Sequence, residues 1–136
     1  MLKMIDTDTD MDIEMETRKA SHKSFIICKR GNSFIPVNIV DLLLFHYHTG
    51  VTFAMDKHGN KYMVDQSLSQ LEHSLDNRIF FRVNRKIILS IHSIKEFQAI
   101  PFGKIAIKLR HVDWCKDDIT ASQENSPRFK EWIHNL

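Results

Sequence analysis

The chain has 136 residues, of which 43% are hydrophobic and 10% aromatic, and this composition suffices for one domain with a substantial core. No apolar run approaches the roughly 20 residues that a membrane-spanning helix needs, and the first residues lack the pattern of a secretory signal. Cys28 and Cys115 lie far apart without a CxxC partner, so neither a disulfide framework nor a zinc site is indicated. We therefore expect a cytoplasmic protein with reduced thiols and no membrane partner.

The formal net charge of +2 is unevenly distributed along the chain. Residues 1–16 contain six acidic residues and one basic residue, whereas the remainder contains 18 basic and 11 acidic residues. The leader also lacks aromatic residues. This pattern predicts an acidic, disordered leader over residues 1–19 and a basic domain over residues 20–136. A basic domain suits a polyanionic partner, although charge alone does not identify one.

Glycine-containing turns divide the domain into short strands. The four glycines lie between segments rich in β-branched and aromatic residues, and two of them are followed by Asn, as in hairpin turns. The pattern predicts strands over residues 23–29, 33–39, 42–48, 51–55, 61–64, 87–90, 92–100, 104–109 and 117–121.

Two stretches have the spacing of short amphipathic helices. Residues 67–76 place three leucines on one face and begin with a Ser-x-x-Gln capping box. Residues 126–135 begin with Ser126 as the predicted N-cap and Pro127 at the first helical position. They place Phe129, Trp132 and Ile133 on one face. The sequence thus predicts a mainly β fold with two short α-helices.

The segment FFRVNRKIILSIHSI, residues 80–94, places cationic and amide side chains directly before the most β-prone strand. Arginine can bond both acceptors of a guanine edge, asparagine can bond an adenine edge, and lysine can neutralise a phosphate. A buried strand would hold such side chains in a fixed direction, as base recognition requires. The alternative is that Arg82 and Arg85 only pair with surface acids such as Asp76.

The order of these segments resembles that of LytTR-type DNA-binding domains, the output modules of many bacterial response regulators. The resemblance runs from residue 24 to 135 and is strongest over DQSLSQLEHSLDNRIFFRVNRKIILSIHSIKEF. Two further segments are similar to the family pattern in their order and spacing, VNIVDLLLFHYHTGVTFAMDKHGNKYMV and DITASQENSPRFKEWI. The resemblance implies a fold of short antiparallel sheets. It also implies a bacterial transcriptional regulator that binds double-stranded DNA sequence-specifically by inserting loops into successive major grooves.

The resemblance further implies which residues contact DNA. By position these are His48 in the turn HYHTG, three residues of the second loop and two of the third, namely Asn84, Arg85, Lys86, Ser122 and Gln123. Gln123 stands where an arginine is usual and Glu124 follows it, so the third loop would bind weakly or read different bases. A second copy on paired DNA repeats is implied as well. We also expect the acidic leader to compete weakly with DNA for the basic face.

Other classes of function find less support in the sequence. His46 and His48 alternate on one predicted strand and His58 follows in the next turn, but there is no HExxH motif or second ligand pair. Neither cysteine has a histidine at a telling spacing, and GxSxG and glycine-rich phosphate motifs are absent. We therefore expect no metal, no cofactor and no enzymatic activity. The remaining alternative is a protein–protein interaction module, or an antagonist of a regulator, with a weakened DNA-binding face.

Overall fold

The computed structural model describes residues 24–110 and 119–136. The predicted leader, residues 1–19, lies outside the described residues, as do the first positions of the strands predicted at 23–29 and 117–121. Within the described ranges no helix is long and apolar enough to cross a membrane.

The described residues form antiparallel strands and two α-helices. The strands are β1 (Phe25–Arg30), β2 (Ser33–Asn38), β3 (Leu42–His48), β4 (Val51–Asp56), β5 (Lys61–Val64), β6 (Phe80–Asn84), β7 (Ile87–Ser90), β8 (Ile94–Ile100), β9 (Lys104–Leu109) and β10 (Ile119–Ala121). Helix α1 (Leu68–Ser74) connects β5 to β6, and α2 (Ser126–His134) follows β10. The mainly β fold with two short helices is therefore confirmed.

Among the described strands, β6 is the one that the sequence pattern does not predict. Its residues FFRVN do not alternate cleanly between apolar and polar, because a register irregularity lies between Arg82 and Asn84 where β6 pairs with β7. The segment expected to be a polar loop before a strand is thus itself a strand. Arg82 and Asn84 consequently lie on a strand, and the turn consists only of Arg85 and Lys86.

The two helices begin close to the predicted residues. Ser67 is the N-cap of α1, and its side chain and that of Gln70 form the predicted capping box. For α2 the prediction is wrong by one residue, since Asn125 is the N-cap residue. Ser126 is instead buried in the first turn, where its hydroxyl donates a 2.8 Å hydrogen bond to the Ser122 carbonyl.

The strands form two sheets that enclose two hydrophobic clusters. The larger sheet has the order β2-β1-β5-β4-β3-β7-β6 and the smaller sheet has the order β10-β9-β8. One face of the larger sheet packs on the leucines of α1, with Phe45 and Ala54 fully buried between them. The other face packs, at β3, β4, β6 and β7, on the smaller sheet and α2, with Phe129 fully buried between them.

Strand pairing brings distant parts of the chain to the same end of the larger sheet. In β3, His46 lies opposite Phe53 of β4 on one side and opposite Ile87 of β7 on the other. The β3–β4 turn and the β6–β7 turn therefore leave the sheet at the same end. This arrangement creates a candidate site at that end of the sheet.

Candidate nucleic-acid interface

Three loops lie side by side at one end of the larger sheet. They are the β3–β4 turn (residues 49–50), the β6–β7 turn (residues 85–86) and residues 122–125 between β10 and α2. The Tyr47 amide donates to the Lys86 carbonyl (2.8 Å), and the Ser122 amide donates to the Val83 carbonyl (3.2 Å). We call these three segments and their flanking residues the loop end. The structure thus brings together all the residues that the sequence analysis selected as DNA contacts.

The β3–β4 turn presents His48 at the margin of the loop end. Thr49 and Gly50 both have positive φ, 50° and 82°, as a two-residue hairpin turn requires. A β-branched residue rarely adopts this conformation, so the sheet on either side must hold Thr49 in place. His48 is the last residue of β3 and its side chain is exposed. It is therefore accessible to a ligand at this end of the sheet.

His46 lies on the same strand but has a different environment. Its ring is buried and stacks on Phe53, with the ring centroids 5.2 Å apart. Burial, with smaller contributions from the charges of Lys61 and His48, lowers the pKa of His46 to about 4. His46 is therefore neutral near pH 7 and belongs to the core. Among the described residues no group of three His, Cys, Asp or Glu side chains is arranged to hold a metal ion.

Asn84 shapes the β6–β7 turn through both ends of its side-chain amide. Its oxygen accepts a hydrogen bond from the Lys86 backbone amide (2.8 Å), and its nitrogen donates to the Thr120 carbonyl (2.9 Å). The amide that was expected to contact DNA is thus already engaged by the protein. Its hydrogen bonds fix the turn and attach it to β10.

Arg82 stabilises the β6–β7 turn through hydrogen bonds and an ion pair. Its guanidinium donates to the Arg85 carbonyl (2.8 Å) and to the Ser69 hydroxyl (3.2 Å), and it forms an ion pair with Glu72 (3.3 Å). Ser69 and Glu72 belong to α1, so Arg82 links this helix to the turn. The role is structural, because the hydrogen-bonding groups of Arg82 point at protein atoms.

Arg85 and Lys86 are exposed at the tip of the turn, and no side chain of residues 24–110 or 119–136 forms an ion pair with either. Within residues 24–110 and 119–136 neither Arg82 nor Arg85 pairs with Asp76, whose carboxylate accepts two hydrogen bonds from the Arg78 guanidinium, at 3.0 and 3.1 Å. The turn thus has a fixed backbone and two cationic side chains available to a ligand.

The third loop is stabilised from within and from β6. The Ser122 hydroxyl accepts from the Asn125 amide (3.2 Å), and the Asn125 side chain donates to the Val83 carbonyl (3.3 Å). Gln123 is exposed and lies against the β8–β9 turn, where an added Cβ at Gly103 would be 3.3 Å from its Cγ. Ser122 is therefore a turn residue, whereas Gln123 is the accessible side chain of this loop.

Arg128 is a candidate contact that the sequence analysis did not select. It lies in the first turns of α2, donates to the Asn125 side-chain oxygen (3.1 Å) and sits 5.9 Å from the Phe81 ring centroid. Arg128, Arg82 and Arg85 line a groove of about 250 Å³ between the second and third loops, together with Glu72 and Glu124. No local motif marks Arg128, since its proximity to the loop end arises only from packing of α2 against β6.

Comparison with known proteins agrees with this description. The family model of the LytTr DNA-binding domain matches residues 32–134. A solved LytTr DNA-binding domain from Bacillus cereus, of a protein described as a methyl-accepting/DNA response regulator, superposes with a TM-score of 0.73 at 18% sequence identity. The superposition covers 82% of this chain and 97% of that domain. No curated protein sequence matches the chain.

Proposed function

Because the chain belongs to the LytTR family of DNA-binding domains, we propose that it regulates bacterial transcription by binding double-stranded DNA sequence-specifically through the loop end. DNA binding and transcription regulation follow from the family, whereas specificity and the mode of contact are our proposals. The observation that carries the proposal is the exposure of Arg85 and Lys86, without a described ion pair, on a turn whose backbone is fixed.

Fixing the turn before DNA arrives favours binding. The backbone next to Arg85 is held by Arg82, and the Lys86 amide is held by Asn84. The entropy of ordering this backbone is therefore already lost in the free protein, which leaves more of the contact energy for affinity. The same rigidity restricts the directions that the Arg85 side chain can take, as discrimination between bases requires.

The exposed side chains suit different parts of a DNA duplex. We propose that Arg85 enters a major groove and bonds the two acceptors of a guanine edge, while Lys86 and Arg128 contact phosphates. His48 and Gln123 flank them on either side and would contact neighbouring positions. Asn84 and Ser122 would act through the loop backbone that they hold. Binding to chromosomal DNA would place the protein in the cytoplasm. Where the DNA site is repeated, a second copy of the protein would bind the second repeat.

The test begins with selection of bound sequences from random duplex DNA by the full chain. We expect a reproducible motif whose affinity falls as salt rises, through release of counterions from phosphates. On this motif Arg85→Ala should cost about 1–3 kcal/mol and relax the preference at one base pair. Lys86→Ala should weaken all sequences about equally and reduce the salt slope by roughly one.

Lys95→Ala is a matched control, because Lys95 is an exposed lysine at the far end of β8 from the loop end. It should change neither the motif nor the salt slope. Each variant must keep the melting temperature of the original chain. Full affinity and specificity in folded Arg85→Ala would contradict the proposed reading role. Absence of any salt-dependent DNA binding would favour the alternative of a protein-binding module, to which the anionic Glu124 in the groove also points.

A further inference from the structure

The smaller sheet and α2 leave part of one face of the larger sheet uncovered. Over β1, β2 and β5 the side chains of Phe25, Ile27, Phe34 and Met63 are 54%, 56%, 64% and 40% exposed. Lys29 lies opposite Phe34 on one side and opposite Met63 on the other, so these residues are neighbours across strands. We call the four apolar residues, with Lys29 and Lys61, the outer patch. A group of exposed apolar side chains on one face of a sheet commonly marks a binding site.

The lysines of the outer patch restrict what can bind there. The Lys29 ammonium lies 5.7 Å from the Phe34 ring centroid, and the Lys61 ammonium lies 4.4 Å from that of Phe53. A second copy stacked face to face would bring like charges together, which opposes association. The patch therefore suits an apolar partner that also carries carboxylates.

The leader contains a segment of this chemistry. Residues 11–16, Met-Asp-Ile-Glu-Met-Glu, alternate strictly between apolar and acidic side chains. In an extended conformation such a segment has one apolar side and one anionic side. Seven residues, 17–23, separate it from the start of the described structure. They can span roughly 23 Å when extended, about the length of β1.

We propose that residues 11–16 bind the outer patch, with Met11, Ile13 and Met15 toward Ile27, Phe34 and Met63. Lysine side chains are long enough to extend past an apolar layer, so Lys29 and Lys61 would face the carboxylates of the bound segment. The short connection gives the segment an effective concentration on the order of millimolar, so a weak contact would be substantially occupied. The outer patch lies on strands other than those that carry the three loops. The leader would thus bind away from the DNA-contacting surface, and it would not compete with DNA as its charge alone suggests.

Met63 provides a built-in reporter of this contact, because peroxide oxidises accessible methionines to the sulfoxide. The initial rate of Met63 oxidation, at a few per cent conversion, is measured by peptide mass spectrometry in the full chain. We expect at least a threefold increase in M11S/I13S/M15S, which keeps every charge of the leader. The matched control L2S/M4S/I5S removes as many apolar leader residues outside the segment and should leave the rate unchanged. An unchanged rate in the first variant, or an equal increase in the control, would overturn the proposal.

The charge component is tested on the other side of the contact. K29E/K61E should also accelerate Met63 oxidation, whereas K95E/K130E changes the net charge equally at exposed positions elsewhere and should not. Protection by the leader is intramolecular, so the rate should not depend on protein concentration. Protection of Met63 that is lost on dilution would instead assign the outer patch to a second copy of the chain and would reject the leader as its occupant.

Discussion

Asp56 and Arg85 are charged residues at opposite ends of the larger sheet, and the first is buried whereas the second is exposed. Asp56, at the β4–β5 turn, is 4% exposed and accepts hydrogen bonds from the backbone amides of His58 (2.9 Å) and Asn60 (2.8 Å), and from the side chains of Asn60 (3.0 Å) and Tyr62 (2.9 Å). Arg85, at the loop end, is exposed, and its carbonyl accepts a hydrogen bond from the Arg82 side chain.

The difference separates a charge that stabilises the fold from one that is available for binding. At the Asp56 end the charged atoms themselves receive the hydrogen bonds, so the carboxylate is satisfied and buried. At the loop end the hydrogen bonds go to the backbone, and the charged atoms of Arg85 and Lys86 remain at the surface. Orienting a residue through its backbone keeps its side chain free for a ligand.

The largest expected effect is on the stability conferred by Asp56. Asp56→Ala leaves several buried or half-buried donors without their acceptor, and each hydrogen bond to a charged group contributes about 1.5–3 kcal/mol. We expect the free energy of unfolding, measured by urea denaturation, to fall by about 3 kcal/mol or more. Asp65→Ala, at an exposed acid beyond the other end of β5, is the control and should change it little. A loss below about 1 kcal/mol for Asp56→Ala would show that the hydrogen-bonded Asp56 carboxylate does not stabilise the fold.

The next effect is a pH dependence that originates at His46. Its pKa is about 4 in the folded protein against an ordinary 6.5, so the unfolded chain binds the proton first as the pH falls. The contribution of neutral His46 to the free energy of unfolding should therefore be complete well above pH 6.5 and decrease between pH 6.5 and 4, by at most about 3.5 kcal/mol, since one pKa unit corresponds to about 1.4 kcal/mol.

His46→Phe should flatten this part of the stability–pH curve, and the exposed His92→Phe should not. Below this pH range, protonation of Asp56 should cause a separate loss of stability. Burial alone would raise the pKa of Asp56, but the hydrogen bonds from Asn60, Tyr62 and His58 outweigh it and lower the pKa. If the curves of His46→Phe and the original chain coincide, His46 is not the group responsible.

A smaller effect sharpens the distinction within the loop end itself. Asn84→Ala removes two hydrogen bonds that hold the β6–β7 turn, so we expect a loss of about 1–2 kcal/mol in stability together with weaker DNA binding. Arg85→Ala should weaken DNA binding without a change in the denaturation midpoint. Parallel denaturation and DNA titrations of both variants provide the measurement. Equal stability losses in the two would show that Arg85 is as structural as Asn84.

The smallest effect concerns Gln123. Gln123→Arg adds an exposed cation beside the second loop, so we expect DNA affinity to rise by up to roughly tenfold and the salt slope to steepen by about one. Gln98→Arg adds the same charge at an exposed position of β8 and should have less effect, with stability unchanged in both. An equal gain from Gln98→Arg would assign the improvement to net charge and not to the third loop.

Residue patterns predict much of the fold, because turns and helix starts are encoded locally. Residue patterns predict nine of the ten described strands, seven of which adjoin a glycine turn, and the capping box at Ser67 fixes the start of α1. Strand β6 escapes prediction because its side-chain alternation is interrupted, and its strand character depends on pairing with β7. Local sequence patterns thus account for the predicted strands and helices, whereas β6 depends on pairing with another strand.

The candidate site is predictable by segment and less so by residue. Asn84 and Arg85 are adjacent and equally suited to base recognition by their chemistry, and only their hydrogen bonds distinguish them. Arg128 enters the site through the packing of α2, which no local pattern reveals. Segments follow from sequence order, whereas the role of each side chain depends on contacts between residues far apart in the chain.

The Val83 carbonyl accepts hydrogen bonds from the Ser122 amide and the Asn125 side chain, so the second and third loops are joined at one point of β6. The distance between the tips of the two loops is therefore fixed by the protein before DNA binds. A duplex that binds both loops must supply grooves at that spacing, and deforming DNA to do so has a cost that depends on its sequence. We expect base pairs that no side chain touches to influence the choice of site through their stiffness.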